Sequence, residues 1–431
     1  MDIKVHYGKE GLRIHVPDSW NVDVVRAKEQ PSISNLPVAI TSVLDRPIGT
    51  RSLKEMVALK RPKRTVVVVS DATRPVPTHR FLPSILEQIH KGCPNTHISL
   101  LIATGLHRPS SPSEVRAMLG EQVVASYEVI NHDATDAANH AILGTTSRGT
   151  PAILDKRYVN ADFRIVTGYV EPHFFAGFTG GRKSLVPGIA GAECIKANHS
   201  AQFISHPLAR FGQTLGNPIY DDAVEIAQMA PPDFCINVTI NAQHQITRIA
   251  AGMMQAVSEQ LIREQLTNSF FPISRPYDVV ICNNGGYPLD MNLYQAVKSM
   301  AIGELAVKKG GSIIACNECA DGIGHHAFEK MIKSNIDPTA LLKAIETGKV
   351  HGPDLWQVQI LARILIKAKI YVVSSLTPAD LGSIGMKYAP SVEDALKDIT
   401  TSQGPITRAL ILPDGPLAIP LCKESAPNGR N

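Results

Sequence analysis

The chain has 431 residues, of which 44% are apolar and 19% charged, enough apolar material for two or three packed domains. This composition excludes a disordered or fibrous class, and a formal charge of only +4 without a dense basic run argues against nucleic-acid binding. No apolar stretch reaches the ~18 residues of a membrane-spanning helix, and the first residues lack the apolar core of a signal peptide. We therefore expect a cytoplasmic protein without a membrane partner.

Short β-branched runs alternate with helical patterns in the first part of the chain, which is typical of βαβ units. Residues 65–70 (TVVVVS) and 97–103 (HISLLIA) predict buried parallel strands. The other predicted elements here are, in chain order, helix 81–90, helix 112–119, strand 127–131, strand 163–168, helix 192–198, strands within 233–249 and helix 253–269.

Residues 270–276 (FFPISRP) predict a linker to a second α/β series. The predicted elements after it are strand 277–283, helix 292–309, strand 311–316, helix 356–367, strand 370–374 and strand 409–412. We therefore expect an α/β protein with two domains, 1–272 and 273–431, each built on a mainly parallel sheet. A hinge would join them, with the active site in the cleft between them. Because open α/β sheets bind ligands beyond the carboxyl ends of their strands, functional residues are expected there.

The first strand end carries the sequence SDATRP, with three candidate binding residues. Asp71 and Thr73 are suited to hold a ribose or to cap backbone amides, and Arg74 is suited to grip a carboxylate through two parallel hydrogen bonds. The alternative is an Asx-turn followed by a surface arginine.

Histidines follow the next two strands. His107 lies in ATGLHRP and His173 in GYVEPHFF. A lone histidine after a strand is more often structural, but two imidazoles delivered to one sheet edge can exchange protons near neutral pH. A pair that flanks one carbon atom could serve its two faces, as inversion of configuration requires.

The glycine-rich stretch 176–191 contains GFTGGRKS, which resembles a P-loop but has Arg182 where the P-loop requires glycine. Lys183 is therefore either a phosphate counter-charge or a nucleophile that bonds covalently to a ligand. His199, after the next predicted helix, is either a metal ligand or a helix C-terminal residue. Two other classes of function remain open at this point: a non-catalytic phosphate- or nucleotide-binding protein, and a nucleotide hydrolase with an altered P-loop.

The second domain contains one polar helix start and two patterns that resemble known ligand sites, one for zinc and one for NAD. Tyr294, Gln295 and Lys298 are three or four residues apart, so they lie on neighbouring positions of one helix face, which suits an anionic ligand or is simply solvated. Cysteines 316 and 319 with histidines 325 and 326 mimic a zinc site, but we interpret the cysteine pair as packing or a site wall. The fingerprint G-x-G-x-x-G of a conventional NAD site is absent.

Taken together, these motifs resemble the family of nickel-pincer-nucleotide lactate racemases and related 2-hydroxyacid racemases and epimerases. The resemblance extends over essentially the whole chain and is carried by SDATRP, ATGLHRP, the run 168–191, His199 and YQAVK at 294–298. It implies that Lys183 is covalently joined to a pyridinium-3,5-bisthiocarboxylic acid mononucleotide that holds nickel. It further implies that His199 supplies a nickel ligand and that Asp71 and Thr73 help to bind the nucleotide.

The same resemblance implies the reaction. A racemase or epimerase of this kind inverts C2 of a 2-hydroxy acid, with lactate as the default substrate, by reversible hydride transfer. His107 and His173 would be the acid/base pair. The implied substrate-binding residues are Arg74, Tyr294, Gln295, Lys298 and Trp356. A dicarboxylate substrate would need a further cation, for which Arg108 and Arg182 are candidates. The implied protein partners are those that build the cofactor and insert nickel.

Overall fold

The computed structural model describes residues 1–18, 20–350, 352 and 355–422. Contacts divide the chain into two units. One unit comprises Glu29–Leu266, and the other comprises Met1–Lys28 together with the described residues from Thr267 onward. No helix in the described ranges combines the length and apolar character needed to cross a bilayer.

The strands are β1 (Asp2–Val5), β2 (Leu12–His15), β3 (Asn21–Val24), β4 (Arg64–Ser70), β5 (His97–Ala103), β6 (Glu128–Asn131), β7 (His140–Thr145), β8 (Pro151–Asp155), β9 (Phe163–Tyr169), β10 (Pro172–His173), β11 (Gly177–Phe178), β12 (Phe234–Ile240), β13 (Ile246–Gly252), β14 (Phe270–Ile273), β15 (Tyr277–Cys282), β16 (Val307–Cys316), β17 (Lys369–Val373), β18 (Met386–Tyr388), β19 (Arg408–Leu412) and β20 (Ile419–Cys422).

The α-helices are α1 (Leu36–Asp45), α2 (Leu53–Lys60), α3 (Leu82–Gly92), α4 (Pro112–Leu119), α5 (Glu121–Ser126), α6 (Lys156–Val159), α7 (Ala192–Asn198), α8 (Ala201–Ser205), α9 (Pro218–Met229), α10 (Met254–Ser269), α11 (Leu293–Ala306), α12 (His326–Ile332), α13 (Pro338–Glu346), α14 (Leu355–Lys367) and α15 (Val392–Gln403).

The unit Glu29–Leu266 is built on a sheet with strand order β13-β12-β9-β4-β5-β6, parallel except for β13. Its central strands are buried on both faces, which is why β4 and β5 read as continuous apolar runs in the sequence. Because β4, β5 and β9 are parallel, the loops that follow them emerge at the same sheet edge. Those loops carry Asp71, His107 and His173.

The other unit is built on a fully parallel sheet with strand order β18-β17-β16-β15-β19-β3. The predicted α/β class with mainly parallel sheets is therefore confirmed in both units.

The division of the chain differs from the predicted domains 1–272 and 273–431 at the N-terminus. Residues 1–28 belong to the C-terminal unit, because β3 pairs with β19 and the β1–β2 hairpin buries its apolar face in that unit's core. The core side chains contributed by the hairpin region are Ile3, Val5, Ile14 and Val16.

The predicted linker 270–276 is also corrected. Its first four residues form β14, which pairs in parallel with β20. The aromatic and β-branched side chains of this segment suit a strand, and Pro272 is tolerated because the sheet has only two strands.

Candidate active site

The loop after β4 forms a tight polar turn around a buried carboxylate. Arg74 N–H donates to the Asp71 carbonyl at 3.1 Å, and Thr73 Oγ1 donates to Asp71 Oδ2 at 2.9 Å. Asp71 is only 3% exposed, and Arg74 Nε lies 4.0 Å from its Oδ1. The structure thus brings these three predicted site residues together.

His107 is held by that carboxylate. Its backbone N–H donates to Thr104 O at 2.9 Å, and its ring Nδ1 lies 2.9 Å from Asp71 Oδ2. Burial raises the pKa of the Asp71 carboxyl, but His107 and Arg74 outweigh burial, and the pKa lies below its ordinary value. An ionised carboxylate only accepts hydrogen bonds, so Nδ1 carries the proton and the Nε2 of a neutral ring is a base.

His173 is held in the opposite tautomer. Its Nδ1 accepts the backbone N–H of Ala176 at 3.2 Å, so the proton of a neutral ring is on Nε2. Lys183 Nζ lies 3.1 Å from Nε2. The ring is buried against Phe174 and Phe175, at centroid distances of 4.8 and 4.6 Å.

Lys183 lies in a 3₁₀ turn, Gly181–Ser184, within the glycine-rich stretch. Gly180 and Gly181 have φ angles of 81° and 50°, a conformation that favours glycine. The turn is tied to the loop of His107, because Gly188 N–H donates to Lys183 O and Gly105 N–H donates to Gly188 O. Lys183, His173 and the His107 loop therefore belong to one connected assembly.

Arg182 does not build a phosphate cradle. Its side chain is buried and donates to two carbonyls of the preceding loop, Ala176 O at 3.3 Å and Phe178 O at 2.9 Å. Arg182 therefore does not serve as the further cation for a second carboxylate. Arg108, the other candidate, donates to both carboxylate oxygens of Glu114.

His199 ends helix α7 and is buried. The helix begins only at Ala192, so no continuous helix joins Lys183 to His199. The Phe175 ring contacts both, with its centroid 5.0 Å from that of the His199 ring and 5.5 Å from Lys183 Nζ. Burial, together with the charge of Lys183, lowers the pKa of His199 well below its ordinary value. The ring is thus neutral, the form in which imidazole binds metals.

The predicted residues of the other unit form a second group at the start of α11. Asn292 caps the helix by accepting Gln295 N–H at 3.0 Å, and Lys298 Nζ donates to Gln295 Oε1 at 2.6 Å. Trp356 Nε1 donates to Tyr294 Oη at 2.9 Å. Trp356 thus acts on Tyr294, and the four predicted residues of this unit lie together.

Two features of the site were missed in the sequence. In the sequence, His325 is only part of a pattern that resembles a zinc site. In the structure its ring stacks on the Tyr294 ring, with centroids 4.0 Å apart and an interplanar angle of 4°. Tyr169, the last residue of β9, donates from its Oη to Glu171, and both residues are buried. A Y-x-E spacing at a strand end is the only sequence signal for that pair.

Family profiles cover most of the chain. Residues 7–212 match the lactate racemase N-terminal domain, and residues 273–419 match the lactate racemase C-terminal domain. A lactate racemase from Thermoanaerobacterium thermosaccharolyticum is 37% identical over 422 residues, spanning 96% of this chain and 98% of the relative. The chain belongs to the lactate racemase family.

Other relatives of the family agree. A lactate racemase from Lactiplantibacillus plantarum is 38% identical over 379 residues, 86% of this chain and 88% of the relative. The lactate racemase apoprotein structure from Thermoanaerobacterium thermosaccharolyticum has a TM-score of 0.90 at 36% identity, covering 97% of this chain and 100% of that one. A Thermotoga maritima protein, with a TM-score of 0.67 at 17% identity over 86% of this chain and 97% of its own, shares the fold alone.

Racemases are isomerases, and this member of the lactate racemase family is an isomerase. The family and enzyme class predicted from the sequence motifs are confirmed.

Proposed function

We propose that the protein racemises or epimerises a 2-hydroxy acid at C2, with lactate as the default substrate. The observation that carries this proposal is the pair of imidazoles at one sheet edge with opposite tautomers. A neutral His107 has its basic nitrogen at Nε2, because Asp71 holds its Nδ1, whereas a neutral His173 has its proton at Nε2, because a backbone amide holds its Nδ1.

The residues around Lys183 fit a covalently attached, metal-bearing nucleotide. Lys183 offers an amine, His199 offers a neutral imidazole, and the Phe175 ring contacts both. We propose that Lys183 and His199 hold the nickel-pincer nucleotide, His199 as a nickel ligand, and that Asp71 and Thr73 help to bind it. The chemistry that such a group supplies when bound is reversible acceptance of a hydride from C2.

The two histidines manage the protons. One imidazole would take the hydroxyl proton while the group accepts the C2 hydrogen as hydride, which would convert the substrate to a 2-keto acid. After the keto acid reorients, the second imidazole, protonated as the imidazolium, would give a proton to the keto oxygen while the group returns the hydride to the other face. The ring that takes the proton must begin as the neutral imidazole and the ring that gives one must begin as the imidazolium, and proton exchange with solvent restores both rings.

We propose that cationic and polar side chains bind the substrate. Arg74, partly exposed beside Asp71, is suited to the carboxylate because its guanidinium can donate two parallel hydrogen bonds. We propose that Lys298 and Gln295 bind substrate oxygen atoms, with Tyr294 beside them and Trp356 orienting Tyr294. Glu114 and the buried 176–178 carbonyls engage the two further arginines, which favours a monocarboxylate.

The two other classes of function have less support. A phosphate-binding loop or hydrolase needs backbone amides that close around phosphates. In this chain Arg182 occupies the glycine position and folds back onto carbonyl oxygens. Magnesium-dependent release of phosphate from nucleotides would support the hydrolase hypothesis instead.

The proposal is tested on protein that is produced in cells that also produce the proteins that build the cofactor and insert nickel. We propose that those proteins are its partners. Intact-mass spectrometry and peptide mapping should find the added mass on Lys183, and chiral chromatography should show interconversion of L- and D-lactate. His107→Ala and His173→Ala should each abolish interconversion. An unmodified Lys183 in active protein, or full racemisation by either variant, contradicts the proposal.

A further inference from the structure

Arg182 is a buried cation to which the proposed reaction gives no role. It is 3% exposed, and its guanidinium carbon lies 3.4 Å from the centroid of the Tyr220 ring on α9. Burial lowers its pKa to about 10, so it remains charged at neutral pH. Among the described residues no carboxylate forms an ion pair with it, and its Nε and Nη1 lack hydrogen-bond partners.

Such a burial is costly, because a desolvated cation normally requires a counter-charge and full hydrogen bonding. A methionine of similar length would fill the same space against Tyr220 without that cost. We therefore expect the role of the charge to lie in the contacts that the guanidinium makes. These are one ring face and two carbonyl oxygens.

Both carbonyls belong to the loop that fixes His173. Arg182 Nη2 donates to Ala176 O and Phe178 O, and the N–H of the same Ala176 holds His173 Nδ1. The β10–β11 hairpin is only two residue pairs long, so its own ladder gives that loop little rigidity. The guanidinium supplies the missing anchor.

We propose that Arg182 is a positioning residue for His173. Its guanidinium, seated on Tyr220, clamps the 176–178 loop so that the Ala176 amide keeps His173 Nδ1 as an acceptor and Nε2 as the proton carrier. The proposal rests on the proposed function only in that His173 is the group whose proton matters.

The first test measures the His173 ring directly in the apoprotein, without any cofactor. Nitrogen-15 NMR of histidine-labelled protein reports which ring nitrogen is protonated, and His173→Gln identifies the signals. In the native protein His173 should show the Nε2–H tautomer. In Arg182→Met its two nitrogen shifts should move toward the values of a tautomer mixture. Unchanged shifts in Arg182→Met overturn the proposal.

The second test measures turnover of loaded enzyme, normalised to the fraction of Lys183 modified. Arg182→Met should lower kcat by about 100-fold with KM within about threefold, because a displaced acid/base ring affects the chemical step. Arg182→Lys, which keeps the charge but not the fork, should recover part of the loss. The matched control is Arg116→Met, which removes an exposed arginine contact to Glu121 and should leave kcat unchanged.

Tyr220 gives a second route if Arg182→Met fails to fold. Tyr220→Phe keeps the ring face and should behave as the native protein, whereas Tyr220→Leu should shift the His173 signals in the same direction as Arg182→Met. No shift in Tyr220→Leu overturns the clamp. If the native protein proves inactive as a racemase but the His173 signals still respond, the clamp is supported and only the proposed function fails.

Discussion

The two histidines are equivalent in the sequence but not in the structure. One ring is held by a carboxylate side chain and the other by a backbone amide, so they begin with the proton on different nitrogens. The two neutral rings therefore have different Nε2 groups, a basic nitrogen in His107 and an N–H in His173.

Asp71 acts on catalysis through His107. Asp71→Asn should lower kcat by about 100-fold or more, because an amide can donate to Nδ1 and place the proton on Nε2, the wrong nitrogen. KM should change much less. Steady-state kinetics of loaded enzyme checks this, with the exposed Asp45→Asn as control. A variant with native kcat would show that the carboxylate does not set the His107 tautomer.

Trp356 acts through Tyr294, and a double-mutant cycle tests this. Trp356→Phe removes the N–H that donates to Tyr294 Oη and should lower kcat/KM by about fivefold, the value of one hydrogen bond. In a Tyr294→Phe background the same change should have little further effect. Additive losses would instead indicate that Trp356 contacts the substrate independently.

At the level of elements, strands buried on both faces were predictable because their apolar runs are unbroken. Strand β5 and helices α4 and α7 have the predicted bounds, and β4 begins one residue early. The segment 270–273 was misread as a linker because its pairing with β20 joins residues about 150 positions apart. No local pattern reports such a partner.

The site was predictable to a similar extent. Strand-end position and motif order identified the residues that the structure places around Asp71, Lys183 and Tyr294. Tautomers, the fold-back of Arg182 and the stacking of His325 depend on contacts between distant segments. Sequence spacing alone could not supply them.

The glycine-rich loop ends at a buried polar anchor, which yields a stability prediction. Asp155 accepts from Arg157 and from His132 Nδ1, and His132 Nε2 donates to Ala190 O. Burial raises the pKa of Asp155, but hydrogen bonds from Arg157 and His132 outweigh it and bring the pKa to about 2, below the ordinary 3.8.

Because folding lowers the pKa of Asp155, its ionised carboxylate stabilises the fold at pH values above the ordinary carboxyl pKa. This stabilisation is lost as the pH falls from about 4 to about 2. Asp155→Asn should therefore lower the free energy of unfolding by about 2 kcal/mol at pH 7. The deficit should shrink on acidification through that window. Urea unfolding at several pH values measures it, with exposed Asp45→Asn as control. A deficit that is independent of pH would contradict the anchor.

At the scale of the whole molecule, the first 28 residues fold with the C-terminal unit rather than with their neighbours in sequence. Val16→Ala, at a fully buried position, should destabilise that unit by about 2 kcal/mol. Hydrogen exchange should quicken in β15 and β19 and stay unchanged in β4 and β5. The exposed Val38→Ala is the control. Faster exchange confined to residues 29–266 would contradict the assignment.

The central claim is that the C2 hydrogen travels with its electron pair and is returned to the same molecule. Racemisation of L-lactate in D₂O by the loaded enzyme tests this claim most directly. The D-lactate formed at low conversion is isolated by chiral chromatography, and its deuterium content is measured by mass spectrometry. We predict D-lactate without deuterium at C2, since the hydride never exchanges with solvent. D-lactate that carries one deuterium at C2 would show proton abstraction instead and contradict the account.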